Sequence, residues 1–415
     1  MQKKRWLLQA KSKAAGFLLA DDVRKAGGVV VKQSPNAPQF ILVEGISDGF
    51  VSHHKLTMES AEVEVKAVEV DPLEKPILTA SSSPTWHLDY INHNTPPAGV
   101  SRVPVKAYVV DTGIDITHPD FFNATALRVG DDNDDNGHGT HVAGLIASDR
   151  FGVNRDTVEL VAVKVLDANG SGTVADIVTG LMDVLDDHVA RGGHSVVNMS
   201  LTIRSMGYTS ALFGAVGALI DAGIHVVAAA GNNSTSLDDY GRETNSPYAE
   251  TFLPAEVDGV ITVSAIGPEG HVAPFSNFGG KSCINAPGVQ VWSTYPNNGS
   301  VAMSGTSMAS PIVAGALCMM LTTRSNAASG RADVLNNIGQ VLTVFTSRLP
   351  IVYKQGHTDM VLDMSFYNPP YFPGGSNAPK DEAPVDEPTE KPKSKRKWFI
   401  GDFVLAFAVG YLLTM

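Results

Sequence analysis

Three short stretches carry a carboxylate, an imidazole and a hydroxyl where the chain must change direction. They are VVDTGID around Asp111, NGHGTHVAGLIA around His138 and SGTSMASPIVAG around Ser307. Brought into one cleft, these groups make a nucleophilic relay. The histidine takes the serine proton, while the carboxylate fixes the imidazole tautomer and stabilises the imidazolium. Each residue also has a plainer reading. Asp-Thr-Gly after a strand is a common turn, and a histidine between glycines is often only exposed. A serine before a helix is by default an N-cap, a place for which Ser304, Thr306 and Ser307 all compete. The joint occurrence in the order Asp, His, Ser is what favours chemistry.

Such a relay needs a scaffold that delivers three distant segments to one place. Apolar runs at 105–110, 158–165, 195–199, 224–230 and 260–266 read as strands, and helical periodicity fits 140–148, 174–189, 210–220 and 308–322. Continuous Val/Ile/Ala strands separated by helices predict an α/β fold of three layers, with a mainly parallel sheet covered on both faces. Ligands of such sheets bind beyond the carboxyl ends of the strands, which is where Asp111 falls.

The bulk properties agree with one large core. A chain of 415 residues with 43% hydrophobic residues and 39 glycines is globular rather than disordered. A formal net charge of -12 argues against a nucleic-acid partner, because phosphate binding draws on clustered Lys and Arg. Only two cysteines, Cys283 and Cys318, rule out a disulfide-dense scaffold and any zinc site on paired Cys-x-x-Cys knuckles. Cys318 lies in an apolar helical run and reads as a small buried thiol. Lys3, Lys4 and Arg5 resemble the start of a signal peptide, but the apolar run 6–10 is too short and is followed by Lys11 and Lys13.

Read together, DTGID, GHGTHVAGLIA, VAVKVLDANGSG, VVNMSL, VVAAAGNN and SGTSMASP resemble the subtilisin-like serine peptidases, and most nearly the proteinase K group. The resemblance spans roughly 86–366 and implies the three-layer subtilisin-like fold over a domain of 76–366. It implies Asp111, His138 and Ser307 as the triad. The small neighbours Gly305, Thr306 and Ala309 let substrate backbone approach. The Ser307 backbone N–H and Asn232, just past the apolar strand, would form the oxyanion hole. By the same resemblance Gly170, Ser171 and Gly172 on one side, and Ser200 and Leu201 on the other, pair with the substrate backbone as added strands do. Ala229, Ala230 and Gly231 would line the primary specificity pocket, leaving room for a sizeable apolar side chain. Thr202 and Ile203 stand where the family usually has glycines, and two side chains there would narrow the outer cleft.

Residues 1–75 resemble, more faintly, the family's inhibitory propeptide, a small α+β region preceding the peptidase, with a plain extra domain as the alternative. FILVEGIS and AEVEVKAVEVD, the latter alternating with period two over 61–71, read as its strands. The expectation is a self-processed zymogen whose own propeptide inhibits it, acting on protein or peptide substrates after apolar or uncharged residues. Two rivals stand beside it, a kexin-like processing protease and an inactive binding protein of the same fold. No cofactor is needed for the chemistry.

The acidic run DDNDDN, 131–136, invites a structural calcium ion, but its spacing does not fit an EF-hand loop and a solvated loop is favoured. Of the sequons, Asn198 and Asn232 fall in core and site, leaving Asn123, Asn233 and Asn298 as glycan positions if the chain is secreted. Residues 367–397 are a Pro-rich charged linker. The apolar tail 398–415 would reach roughly 27 Å as a helix, the lower limit for crossing a bilayer. It predicts membrane association, in the secretory pathway or at the cell surface.

Overall fold

The computed structural model describes residues 5–47, 49–50, 57–60, 64–66, 83–93, 103–127, 132–155, 157–206, 210–237, 250–279, 284–324, 326–344, 346–348 and 360–364. In chain order the first part comprises β1 (Arg5–Gln9), α1 (Lys13–Lys25), β2 (Val29–Gln33), β3 (Phe40–Glu44), β4 (Thr57–Ser60) and β5 (Glu64–Lys66). Strands β2-β3-β1-β4 form an antiparallel sheet. The apolar run 6–10 is mostly its strand β1, and α1 starts on a Ser12 cap whose Oγ accepts from the Ala15 N–H at 3.2 Å. Both faces of this sheet are covered, which is why β1 and β3 read as unbroken apolar runs. Trp6, Leu8, Ile41 and Val43 pack with Leu19 and Val23 of α1. Leu7, Phe40 and Leu42, buried as well, alternate onto the other face.

Of the expected strand over 61–71, only Glu64–Lys66 is a strand among the described residues. It does not join the small sheet but pairs with a later segment of the chain.

The peptidase-like part follows with α2 (Trp86–Tyr90), β6 (Val105–Asp111), β7 (Ala124–Ala126), α3 (His138–Ala147), β8 (Val158–Lys164), β9 (Ser171–Thr173), α4 (Val174–Arg191), β10 (His194–Met199) and β11 (Ile203–Met206). Then come α5 (Ser210–Asp221), β12 (His225–Ala229), β13 (Glu250–Leu253), β14 (Val260–Ile266), β15 (Ile284–Pro287), β16 (Val291–Tyr295), β17 (Gly299–Met303), α6 (Thr306–Leu321), α7 (Arg331–Val344), β18 (Thr346–Arg348) and β19 (Met360–Leu362). The main sheet runs β18-β19-β15-β14-β12-β10-β6-β8-β7 and is parallel except for the β18–β19 pair. Every residue of β6, β10, β12 and β14 is buried, as expected for strands covered on both sides.

Strand order reverses between β6 and β10. From β6 the chain lays β7 at the outer edge and then β8 between the two, before it returns to lay β10, β12 and β14 on the other side. The crevice of an open parallel sheet opens at such a switch. Asp111 ends one of its strands and Ser200 directly follows the other.

The amino-terminal sheet lies on α4 and α5. Lys32 pairs with Asp183, and Ser34 Oγ and Asn36 Nδ2 each donate to Asp186 Oδ1 at 2.6 Å. Gly214 of α5 meets Gln9 and Phe40, where a larger residue would collide. Among the described residues no helix is long and apolar enough to cross a membrane. The linker 367–397 and the tail 398–415 lie outside the described residues.

Candidate active site

The three motif residues arrive on three different elements of the switch. Asp111 ends β6, fully buried. His138 is itself the first residue of α3, two residues before the expected helix start. The N-cap residue of α3 makes no side-chain bond to it. Its N-cap is Gly137, held at φ 105, a left-handed conformation that glycine adopts without penalty, with the Tyr295 ring against it. Gly139 is needed for a different reason: any Cβ there would run into the Gly113 carbonyl, so α3 could not lie on the loop after β6. The glycines flanking His138 thus bring helix and loop together.

Thr306 and Ser307 likewise lie inside α6, and its N-cap is Gly305, without a side-chain bond. None of the three competing hydroxyls caps the helix. Ser304 Oγ accepts from the Gln290 N–H at 2.8 Å, and Thr306 Oγ1 donates to Asn232 Oδ1 at 2.8 Å. Ser307 Oγ donates to the Ser200 carbonyl at 3.2 Å.

His138 Nδ1 donates to Asp111 Oδ1 at 2.7 Å, and the same oxygen accepts the Thr112 N–H at 2.8 Å. With its Nδ1 proton engaged, the imidazole offers Nε2 as a base. That atom is buried and has no hydrogen-bond partner. Burial by itself depresses the imidazole pKa; the charge and hydrogen bond of Asp111 and the charge of Asp134 outweigh it, and the result lies above the ordinary value. Helices α3 and α6 pack directly against each other, and His138 is the first residue of one while Ser307 is the second residue of the other. The Ser307–His138 hydrogen bond itself is not made in this conformation, because Oγ is turned toward Ser200; such bonds are often loose before substrate arrives.

Asn232 is held for one orientation. Its Oδ1 accepts from both the N–H and the Oγ1 of Thr306, at 3.0 and 2.8 Å, which leaves the amide Nδ2 facing elsewhere. Thr306 Oγ1 also accepts the Gly231 N–H at 3.1 Å. Asn277 grips the same loop from behind. Its Nδ2 donates to the Ala230 carbonyl at 2.9 Å, and its Oδ1 accepts the Asn233 and Thr235 N–H groups at 2.9 and 3.1 Å. Asn277 is not marked out by sequence, and the Thr306 hydroxyl only as a cap candidate; FSNFG reads as an ordinary turn, and the loop that the Asn277 side chain bonds lies more than 40 residues away.

The remaining candidates divide. Ser171 and Gly172 form β9, half-buried, with Gly170 in the turn before it at φ 71. Glu64, Val65 and Lys66 of β5 pair antiparallel with Thr173, Gly172 and Ser171. Ser200 and Leu201 are fully buried, and Ser200 Oγ donates to the Ser307 carbonyl at 2.9 Å while meeting Asn198 and Ser310. The Ser200 side chain therefore supports the start of α6 rather than facing a ligand. Ala229 and Ala230 are buried at the end of β12, and Gly231 follows at φ 103. Ile203 does not narrow a cleft: it is 2% exposed and pairs with Leu253 in the β11–β13 ribbon.

The solvated reading of 131–136 is also corrected. Asp132 and Asp134 are buried while Asn133 and Asp135 are exposed. Their oxygens face N–H and O–H donors instead of a cation: Asp132 Oδ1 accepts the Lys164 N–H at 2.9 Å, and Asp134 accepts five donors. Among the described residues no group of three or more His, Cys, Asp and Glu side chains is placed to hold a metal ion. Cys318 is a buried free thiol, as expected.

The subtilase family profile matches residues 105–339. The chain is 36% identical over 274 residues to a subtilisin-like protease of Coccidioides posadasii, covering 62% of this chain and 64% of that protein. It is 37% identical over 247 residues to a subtilisin-like serine protease of Penicillium rubens, covering 58% and 57%. Both matches thus span less than two thirds of the relative. Among solved structures, a cold-adapted subtilisin-like serine proteinase aligns at TM-score 0.56 with 31% identity, covering 67% of this chain and 97% of that one.

Proposed function

The chain belongs to the subtilase family, and from that membership we propose that it is a serine endopeptidase using Asp111, His138 and Ser307. The observation that carries the reading is the 2.7 Å Asp111–His138 bond combined with a bare, buried Nε2 on the first residue of α3, a helix that packs against α6, the helix carrying Ser307 as its second residue. On this reading Ser307 Oγ turns from the Ser200 carbonyl to His138 Nε2, gives up its proton there, and attacks the substrate carbonyl. The resulting oxyanion accepts from Asn232 Nδ2 and from the Ser307 N–H, which has no partner within its own helix at that position. The protonated imidazole then donates to the leaving amine, and water repeats the sequence on the acyl-enzyme.

Asn232→Ala is expected to lower kcat by about 10²- to 10³-fold with KM nearly unchanged, since the donor acts on charge that develops only in the transition state. Steady-state kinetics on a chromogenic peptide measure this. A raised KM at unchanged kcat would contradict the oxyanion role.

The same proposal takes residues 1–75 as an inhibitory propeptide. Support comes from β5, which lies as an added strand on Ser171–Thr173, the segment expected to pair with substrate backbone. The chain is expected to cut itself between about Asp71 and Ser83, ahead of Trp86, where the peptidase zone opens. N-terminal sequencing of active material checks it. An active species still beginning at Met1, or Ser307→Ala processed normally when purified alone, goes against self-cleavage. Small residues Ala229, Ala230 and Gly231 at the end of β12 favour an uncharged or apolar residue before the scissile bond.

A further inference from the structure

Asp134 is 5% exposed and lies outside the Asp111, His138 and Ser307 set, yet it ties their supports together. Its Oδ1 accepts from Thr112 Oγ1 at 2.9 Å, the Asn136 N–H at 3.0 Å and the Gly137 N–H at 2.8 Å. Its Oδ2 accepts from the Thr140 N–H at 2.8 Å and Thr140 Oγ1 at 2.6 Å. All five partners are donors, the set that suits a carboxylate. Three of them are the amides of the Gly137–His138 turn and the first turn of α3, where a negative charge also meets the positive end of the helix dipole.

The connection to Asp111 runs through one residue. Thr112 gives its N–H to Asp111 Oδ1 and its Oγ1 proton to Asp134, and it accepts the Gly139 N–H at 2.9 Å. The residue after Asp111 and the residue after His138 are therefore bound through the same hydroxyl, which Asp134 orients. Tyr295 closes the turn from outside by donating to the Asn136 carbonyl at 2.9 Å.

We propose that Asp134 is a positioning residue for peptide hydrolysis, one that sets His138 against Asp111 and keeps a second negative charge beside the imidazolium formed during the reaction. This rests on the peptidase reading above. The charged and titratable groups around His138 are few. Asp111 faces it from β6 and Asp134 from the loop before α3, and both favour its protonated form. His141, one turn further along α3, is held neutral with its pKa down near 3 by burial and the nearby His138, although the Val291 and Val301 carbonyls accept from its Nε2. On the outer side of the loop, Lys164 of β8 bonds the Thr112 and Asn133 carbonyls and pairs with exposed Asp135.

The sign follows from these charges. The acid limb of kcat/KM reports protonation of the general base in free enzyme. Removing the Asp134 charge makes the imidazole easier to deprotonate, so the limb moves to lower pH, while the imidazolium formed in the transition state loses a stabilising charge. In the full chain, Asp134→Asn is expected to shift the acid limb down by about half a pH unit or more. It is also expected to lower plateau kcat by about 10- to 100-fold, with KM held within about twofold. Thr112→Val keeps the charge and cuts the bridge. It should lower kcat by about three- to tenfold, with the limb and KM in place.

An Asp134→Asn limb that coincides with wild type, or a raised KM at wild-type kcat, overturns the proposal; a merely structural role would lower the melting temperature without moving the limb. If Asp134→Asn does not fold by circular dichroism, Thr112→Val decides, and wild-type kcat in that variant overturns the positioning role. Wild type and Ser307→Ala run beside them. Hydrolysis by Ser307→Ala would sink the peptidase reading itself, whereas an inert Ser307→Ala with a wild-type profile for Asp134→Asn sinks only this inference.

Discussion

Replacing Ser307 by alanine is expected to abolish peptide hydrolysis, by about 10⁶-fold in kcat as in subtilisin, and to leave the fold standing. The two halves of that expectation have different sizes and different causes. A 10⁶-fold loss is about 8 kcal/mol of barrier, because no other group in the relay can form the acyl-enzyme. The structural loss is one hydrogen bond, from Oγ to the Ser200 carbonyl at 3.2 Å, worth about 1 kcal/mol. Ser307 does not cap α6, since that place belongs to Gly305. The backbone N–H aimed at the oxyanion also survives in the alanine variant. Turnover of a peptide substrate and a thermal melt of the same preparation check both halves. Activity within tenfold of wild type, or a variant that fails to fold, contradicts the account.

Asp111→Asn should be the next most damaging change, lowering kcat by about 10⁴-fold with little effect on KM. The substitution is isosteric, so packing at this fully buried position is preserved. Oδ1 accepts both from His138 Nδ1 and from the Thr112 N–H, at 2.7 and 2.8 Å. What disappears is the charge. Without it, burial governs the imidazole and presses its pKa down, and the imidazolium of the transition state is left without its main partner. Should the amide turn its NH₂ toward His138, the proton would be forced to Nε2 and the base lost outright. Kinetics across pH distinguish this result from misfolding, because a folded Asp111→Asn enzyme still binds substrate. Retention of more than about a tenth of wild-type kcat would show that His138 works without Asp111.

The main sheet was legible because β6, β10, β12 and β14 are buried on both faces, so burial wrote itself into unbroken apolar runs. The helix starts were misjudged by two residues for one shared reason. Sequence signals for a helix start are side-chain caps, and both α3 and α6 begin on glycines without one. In residues 131–136 Asp132 and Asp134 are buried and Asn133 and Asp135 exposed, an alternation that a run of uniformly polar residues does not spell out. Asn277 gave no local signal, and Thr306 read only as a cap candidate and a small neighbour of Ser307. Their roles exist only because the fold brings the loop after β14, the loop after β12 and the start of α6 into contact, with bonds spanning 42 to 75 residues. The period-two run at 61–71 was informative about conformation but silent about partner, and the edge that β5 joins is β9.

The central claim, that Ser307 is the nucleophile of an Asp111–His138 relay, is tested most directly by covalent capture. Purified protein freed of its amino-terminal region is incubated with an aryl phosphonate ester, whose phosphorus is attacked by an activated serine with loss of the phenolate. The adduct is then mapped by peptide mass spectrometry. The account predicts one adduct per molecule, on Ser307 Oγ, formed in step with loss of activity and absent from His138→Ala. Label on any other residue, or an active enzyme that takes no label, would contradict it.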